Sequence, residues 1–180
     1  MTGLGVALLS GALIALEVLL VRLFAIVLWH HFAYMAISIA LLGIGASGTF
    51  LALARAPLLA RFEAAFAGLS AGFAVTAIAG FALAQRLPFN PLALAWEGRQ
   101  FLHLAALYGL LALPFFFAGS GLGLALMRDP RRIGAVYGAN LAGAALGAVG
   151  SVGLLFLVSP GDALRLIAGL GALAGLAPAS

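Results

Sequence analysis

The chain has 180 residues, of which 65% are hydrophobic and 8% charged, against about 45–50% and about 25% in soluble globular proteins. An apolar surplus of that size, with a mean hydropathy of +1.22, exceeds what a domain this small can bury. It excludes a soluble enzyme, a disordered chain and a nucleic-acid-binding module, and points to a polytopic membrane protein. The formal net charge of +4 rests on nine arginines spread mostly between apolar runs, a distribution that reads as topology setting rather than nucleic-acid contact. The absence of cysteine removes a disulfide framework, a thiolate metal site and a cysteine nucleophile.

Six apolar runs are long enough to be helical spans, near 4–28, 32–54, 62–84, 101–126, 133–158 and 162–177; a crossing takes about 20 residues. The predicted fold class is all-α, a transmembrane helical bundle forming one domain over 1–180. The first run follows Met1-Thr2-Gly3, with no basic segment, and is too long for a signal peptide, so it reads as a retained span. Trp29-His30-His31 marks the first reversal. Arg55, Pro57 and Arg61 are expected to end the second span. Segment 85–100, with Pro88, Pro91 and Trp96, is the one long connection; an extended stretch followed by a short interfacial helix is expected, Trp96 joining an aromatic belt. Met127-Arg128-Asp129-Pro130-Arg131-Arg132 is the strongest turn. Ser159-Pro160-Gly161-Asp162 is another, with Asp162 expected to cap the last helix.

With six spans, Arg55, Arg61, Arg128, Arg131 and Arg132 share one side, and Arg86, Arg99 and Arg165 the other. The arginine excess places the first side, and both termini, in the cytoplasm. The expected location is the cell inner membrane.

Glycines four apart recur at Gly68–Gly72, Gly119–Gly123, Gly134–Gly138, Gly143–Gly147 and Gly171–Gly175. That spacing lets helix backbones approach closely in lipid, and a homo-oligomer is a further use of such faces. Gly43-Ile-Gly45-Ala-Ser-Gly48 fits the dinucleotide pattern G-x-G-x-x-G. It lies inside an apolar run with no strand before it, so helix packing is the expected role.

Polar residues inside the runs are the candidate sites, because ionisable groups in a bilayer are costly and usually face the bundle interior. Glu17 and Arg22 lie in the first run, five apart, and so do not stack on one helix face. Asn140 in the fifth run is expected to find an interhelical partner. His103 and Tyr108, with Tyr34, Glu97 and Arg99, fall on the outer side by topology. His30, His31 and His103 are the only residues for a metal or haem, without a ligand spacing that favours one. No cofactor is predicted. Pro114 is expected to kink the fourth span and free a carbonyl. No period of 20–50 residues is visible, and a weak three-plus-three repeat stays open.

Ser10-Gly11-Ala12 through Glu17 to Arg22-Leu23-Phe24 resembles the opening helix of the membrane-embedded spermidine-synthase-like family. Trp29-His30-His31-Phe32 through Leu42-Gly43 to Ala46-Ser47-Gly48 is similar to its second helix. Leu113-Pro114-Phe115-Phe116 and Val136 to Gly147 resemble later ones. The resemblance implies a membrane region that accompanies a soluble Rossmann-type transferase domain. No donor loop or catalytic motif for such a domain stands in this chain, so no catalysis of its own is expected. The implied role is an anchor for a soluble transferase-like partner, binding or moving a small substrate of polyamine type. A small transporter unit and a structural subunit of a larger membrane complex are the competing readings.

Overall fold

The computed structural model describes residues 2–27, 33–90, 92–93 and 96–177. Among them are six α-helices: α1 (Thr2–Val27), α2 (Ala33–Ala60), α3 (Phe62–Ala84), α4 (Arg99–Arg128), α5 (Ile133–Leu157) and α6 (Pro160–Leu176). A 3-10 turn, Pro130–Arg132, joins α4 to α5. No strand occurs among the described residues. Five of the helices are long and apolar enough to cross a membrane. The sequence dictates helices because apolar runs rich in leucine and alanine favour them, and because a helix satisfies every interior backbone group within the segment.

Glycine contacts give the directions in which the helices pack. Gly3 lies against Ala139, Gly143 against the Ala7 backbone and Gly147 against the Gly11 backbone. The numbers rise together, so α1 and α5 run parallel. Gly43 packs on Ala112 and Phe115, Gly119 on Ser47, and Gly123 on Leu51, so α2 and α4 are also parallel. Gly72 faces Phe117 while Gly80 faces Leu110, and Gly171 faces Phe73 while Gly175 faces Ala67 and Ser70. Hence α3 is antiparallel to both α4 and α6. Gly5 lies against Ala174 and Ala177, which brings the start of α1 to the end of α6.

The architecture is two interlocked V shapes. Helices α2 and α3 are separated by Arg61 alone, barely touch each other, and hold α4 between them. Helices α5 and α6 diverge from Val158-Ser159 in the same way and hold α1 between them. Exchanging α1, α2 and α3 for α4, α5 and α6 maps each principal packing pair onto another or onto itself. It also reverses every direction, because α1 and α4 are antiparallel: Gly121 meets Leu9 while Leu23 and Phe24 lie beside Leu107 and Leu111. The bundle is therefore an inverted three-plus-three repeat in plain chain order, α1–α3 against α4–α6, in which the first helix of each half packs between the last two of the other. Ser10-Gly11 of α1 and Ser120-Gly121 of α4 occupy matching places, and both serines are buried.

The core runs along α1 and α4, with Leu9, Leu16, Leu19, Phe115 and Leu124 fully enclosed. Phe73 fills the notch at Gly171, a position that leaves no room for a Cβ. Helix α5 packs mainly on α1 and presents Leu146, Val149 and Phe156 outward, a surface for lipid.

Several local expectations change. Helix α2 does not stop at Arg55 and Pro57 but continues to Ala60 with Pro57 inside. The N-cap of α6 is Ser159, whose hydroxyl accepts from Asp162 N–H; Asp162 sits in the first turn and accepts from Ser159 Oγ and Arg165. A serine one residue before Pro160 has the extended backbone a cap requires, which a residue already inside the turn lacks. Over 85–100 the described residues include a short 3-10 piece at 92–93. Successive turns link Leu83 to Gln100, and the buried Gln100 accepts from Asn90 N–H while donating to Glu97. Trp96 is 74% exposed. Helix α4 runs unbroken through Pro114. The carbonyl of Leu110, which Pro114 cannot bond, is where Gly80 of α3 approaches; a Cβ at Gly80 would stand 2.7 Å from that oxygen.

Of the five glycine pairs, 119–123, 143–147 and 171–175 are helix contacts at both members. Gly72 makes one and Gly68 none, and Gly134 and Gly138 have open space beside them. Gly43, Gly45 and Gly48 lie within α2, and only Gly43 is packed.

Candidate functional site

The structure does not bring the sequence-predicted polar residues together. Glu17 is half-buried on α1, and Arg22 is exposed near the same helix's C-terminal end, its guanidinium 5.3 Å from the Phe156 ring centre. Among the described residues they form no ion pair; the single one is Arg165 with Asp162 at 3.0 Å. Asn140 lies beside the first third of α1, away from Glu17. Its backbone carbonyl accepts the Ser10 hydroxyl at 2.9 Å. The interhelical bond at position 140 is made by the main chain; the amide side chain, for which a partner was expected, makes none among the described residues. His103 and Tyr108 are half-buried toward the start of α4, and His103 Nδ1 has no hydrogen-bond partner among the described residues. Tyr34 is exposed. His30 and His31 lie outside the described residues. Among those described, no group of three or more His, Cys, Asp or Glu is placed to hold a metal.

Two of the concave surfaces are apolar. A groove of about 480 Å³ lies between α5 and α6 over α1, lined by Leu8, Leu146, Leu154 and Leu170. Another of about 320 Å³ lies between the ends of α1 and α3 and the first half of α4, around Phe24, Phe81 and Leu107. Their apolar linings suit acyl chains or another helix, and neither contains Glu17 or Arg22.

The charged surface lies elsewhere. At the apex of the first V, a cleft of about 500 Å³ is lined by Leu59, Arg61, Phe62, Glu63 and Arg128. The Arg128 guanidinium sits 4.2 Å from the centre of the Phe62 ring, which is itself buried and stacked on Phe66 at 5.8 Å. Arg61 stands at the N-cap of α3 and supplies no side-chain cap. The contact of α4's last residue with Phe62, and those of Gly3 and Gly5 with α5 and α6, put Arg55, Arg61, Arg128, Arg131 and Arg132 at one end of the bundle. Glu63 and Asp129 share it. Arg22, Arg86, Arg99 and Arg165 lie toward the other end, with Glu97 and Asp162. Sequence reasoning used Arg128 and Arg61 only as topology markers. The signal for more was the aromatic residue right after Arg61, but the meeting of positions 62 and 128 is a tertiary fact.

No family model, no curated protein and no solved structure matches this chain. The resemblance to spermidine-synthase-like membrane regions gains no support from these comparisons.

Proposed function

We propose that the chain is a multi-pass anchor of the inner membrane, inserted with the arginine-rich end in the cytoplasm and holding a soluble transferase-like partner there. The observation that carries this is the gathering of five arginines at the end where α1 starts and α6 finishes. Arginine excess marks the cytoplasmic side, and the compact Arg128–Arg132 turn is exposed to a partner. The dispersal of Glu17, Arg22, His103, Tyr108 and Asn140 supports a role that needs no internal polar path. The transferase character of the partner rests on the sequence resemblance alone.

Capture of the full chain from its native membrane in mild detergent, with mass spectrometry, tests the reading. One soluble transferase is expected in near-stoichiometric amount, and is expected to be lost when Arg128, Arg131 and Arg132 are all changed to Glu. A chain that emerges alone overturns it.

One observation favours a second reading, a small transport unit: the inverted repeat, an arrangement used by many secondary transporters, whose halves rock about a site near the midplane. In that case purified protein in vesicles carries a labelled polyamine across the bilayer, and Glu17→Gln abolishes the flux. Absence of flux with an intact, floated protein rejects this second reading.

A further inference from the structure

We propose that the cleft at the Arg61 apex binds the phosphate of an anionic phospholipid headgroup. The inference rests on the chain lying in a bilayer, and is independent of whether it carries a partner or a substrate.

Four features converge. Two guanidiniums, Arg61 and Arg128, line one cleft, and neither belongs to an ion pair among the described residues. Arg128 is held in place by the buried face of Phe62; a guanidinium is weakly hydrated and presents a planar fork of donors matched to phosphate. The cleft also lies at the right level. Helix α2 has 28 residues, about 42 Å of helix, against a hydrocarbon core of about 30 Å, so its end emerges among headgroups. Lastly, the flank is amphiphilic. Below the cleft, α2 offers Leu53, 84% exposed, and Leu59 forms part of the wall. A diacyl lipid covers such a flank with its chains while its phosphate meets the arginines; a free phosphate has nothing to set against Leu53. Basic pockets between transmembrane helices are used for headgroups in this way. Glu63 also borders the cleft. Its carboxylate repels a second negative charge, which favours a singly charged diester such as phosphatidylglycerol over a phosphomonoester.

The test uses the full chain purified in a neutral detergent, with retained lipid counted by native mass spectrometry. Equal amounts of phosphatidylglycerol and phosphatidylcholine are offered. Retention of phosphatidylglycerol is expected to exceed that of phosphatidylcholine, and to fall about fivefold for each arginine removed in Arg61→Ala and Arg128→Ala. Arg165→Ala, at the other end, is expected to change nothing. The pair Arg61→Gln and Arg128→Gln keeps the side-chain bulk, and is expected to lose retention as the alanine pair does. Equal retention of the two lipids, or a preference that survives the glutamine pair, overturns the proposal. So does inorganic phosphate that displaces the lipid at equal concentration, since the cleft is then a free-anion site. Flotation with phosphatidylcholine vesicles separates the two layers of the argument. A chain that does not float overturns the bilayer reading together with this one; a chain that floats without the lipid preference overturns this one alone.

Discussion

At Gly143 and Gly147 the backbones of two helices touch, and an added Cβ would fall onto the main chain of Ala7 and Gly11. Main chain cannot rotate away as a flexible side chain can, so the helices must separate. Gly147→Val is therefore expected to destabilise the protein by about 1–3 kcal/mol or more, read as a lower melting temperature in detergent. Gly138→Ala, with open space beside it, is expected to stay within about 0.5 kcal/mol of the parent. The buried serines make a second contrast. Ser10 donates across to the Asn140 carbonyl, and Ser10→Ala is expected to cost about 0.6 kcal/mol, the average for such bonds in membranes. The Ser120 hydroxyl is fully buried without a partner among the described residues. Ser120→Ala is expected to be neutral or stabilising, because an unsatisfied hydroxyl is removed at little loss of packing. Melting curves of the two variants, measured side by side, check the sign.

Among the elements, α6 is the shortest at 17 residues, and its start depends on local chemistry. The Ser159 cap and Asp162 in the first turn bond to each other. Ser159→Ala is expected to cost about 1 kcal/mol and Ser159→Thr much less, seen as earlier loss of helix signal on heating. At this scale the sequence was readable where punctuation was unambiguous. The span 62–84 is expected and found, because Arg61 and the Gln85-Arg86 turn bound an uninterrupted apolar run. The end of α2 was misjudged because Pro57 looks like a stop. A proline one turn from a helix end frees only the carbonyl four residues back, and the helix tolerates it. The 85–100 connection was legible only in outline, for another reason. Its shape is set by Gln100 reaching back to Asn90, a bond that no periodicity announces. The candidate residues suffered most. Glu17, Arg22, His103 and Asn140 stand out in the sequence because they are polar in an apolar chain, but polarity fixes neither azimuth nor neighbour. The cleft at Arg61 depends on two positions 67 apart, 61 and 128, meeting through the packing of α4.

For the whole molecule, the absence of cysteine makes orientation measurable on a clean background. Single cysteines at Met127 and Pro88, both exposed, are expected to react with an impermeant maleimide from opposite faces of the membrane, Met127 from the cytoplasmic face only. Labelling of both from one face contradicts the alternating course of the helices. The repeat itself was beyond the reach of inspection. Its halves share Ser-Gly at 10–11 and 120–121 and little else, and each half's first helix packs within the other half.

That exchange of first helices has a consequence for how the chain is made. A ribosome delivers α2, α3 and α4 in succession, so the first V closes around its central helix as soon as Arg128 enters the membrane. Helix α1 is delivered first and completed last. Its glycine-lined face must wait for some 130 further residues before Gly143 and Gly147 arrive. Through that interval the face is open to lipid, to chaperones of insertion, or to a neighbouring nascent chain. Maturation is thus a ring closure between the oldest and the newest parts of the polypeptide, and a stalled translation product lacking α5 and α6 leaves in the bilayer a helix whose mates never come.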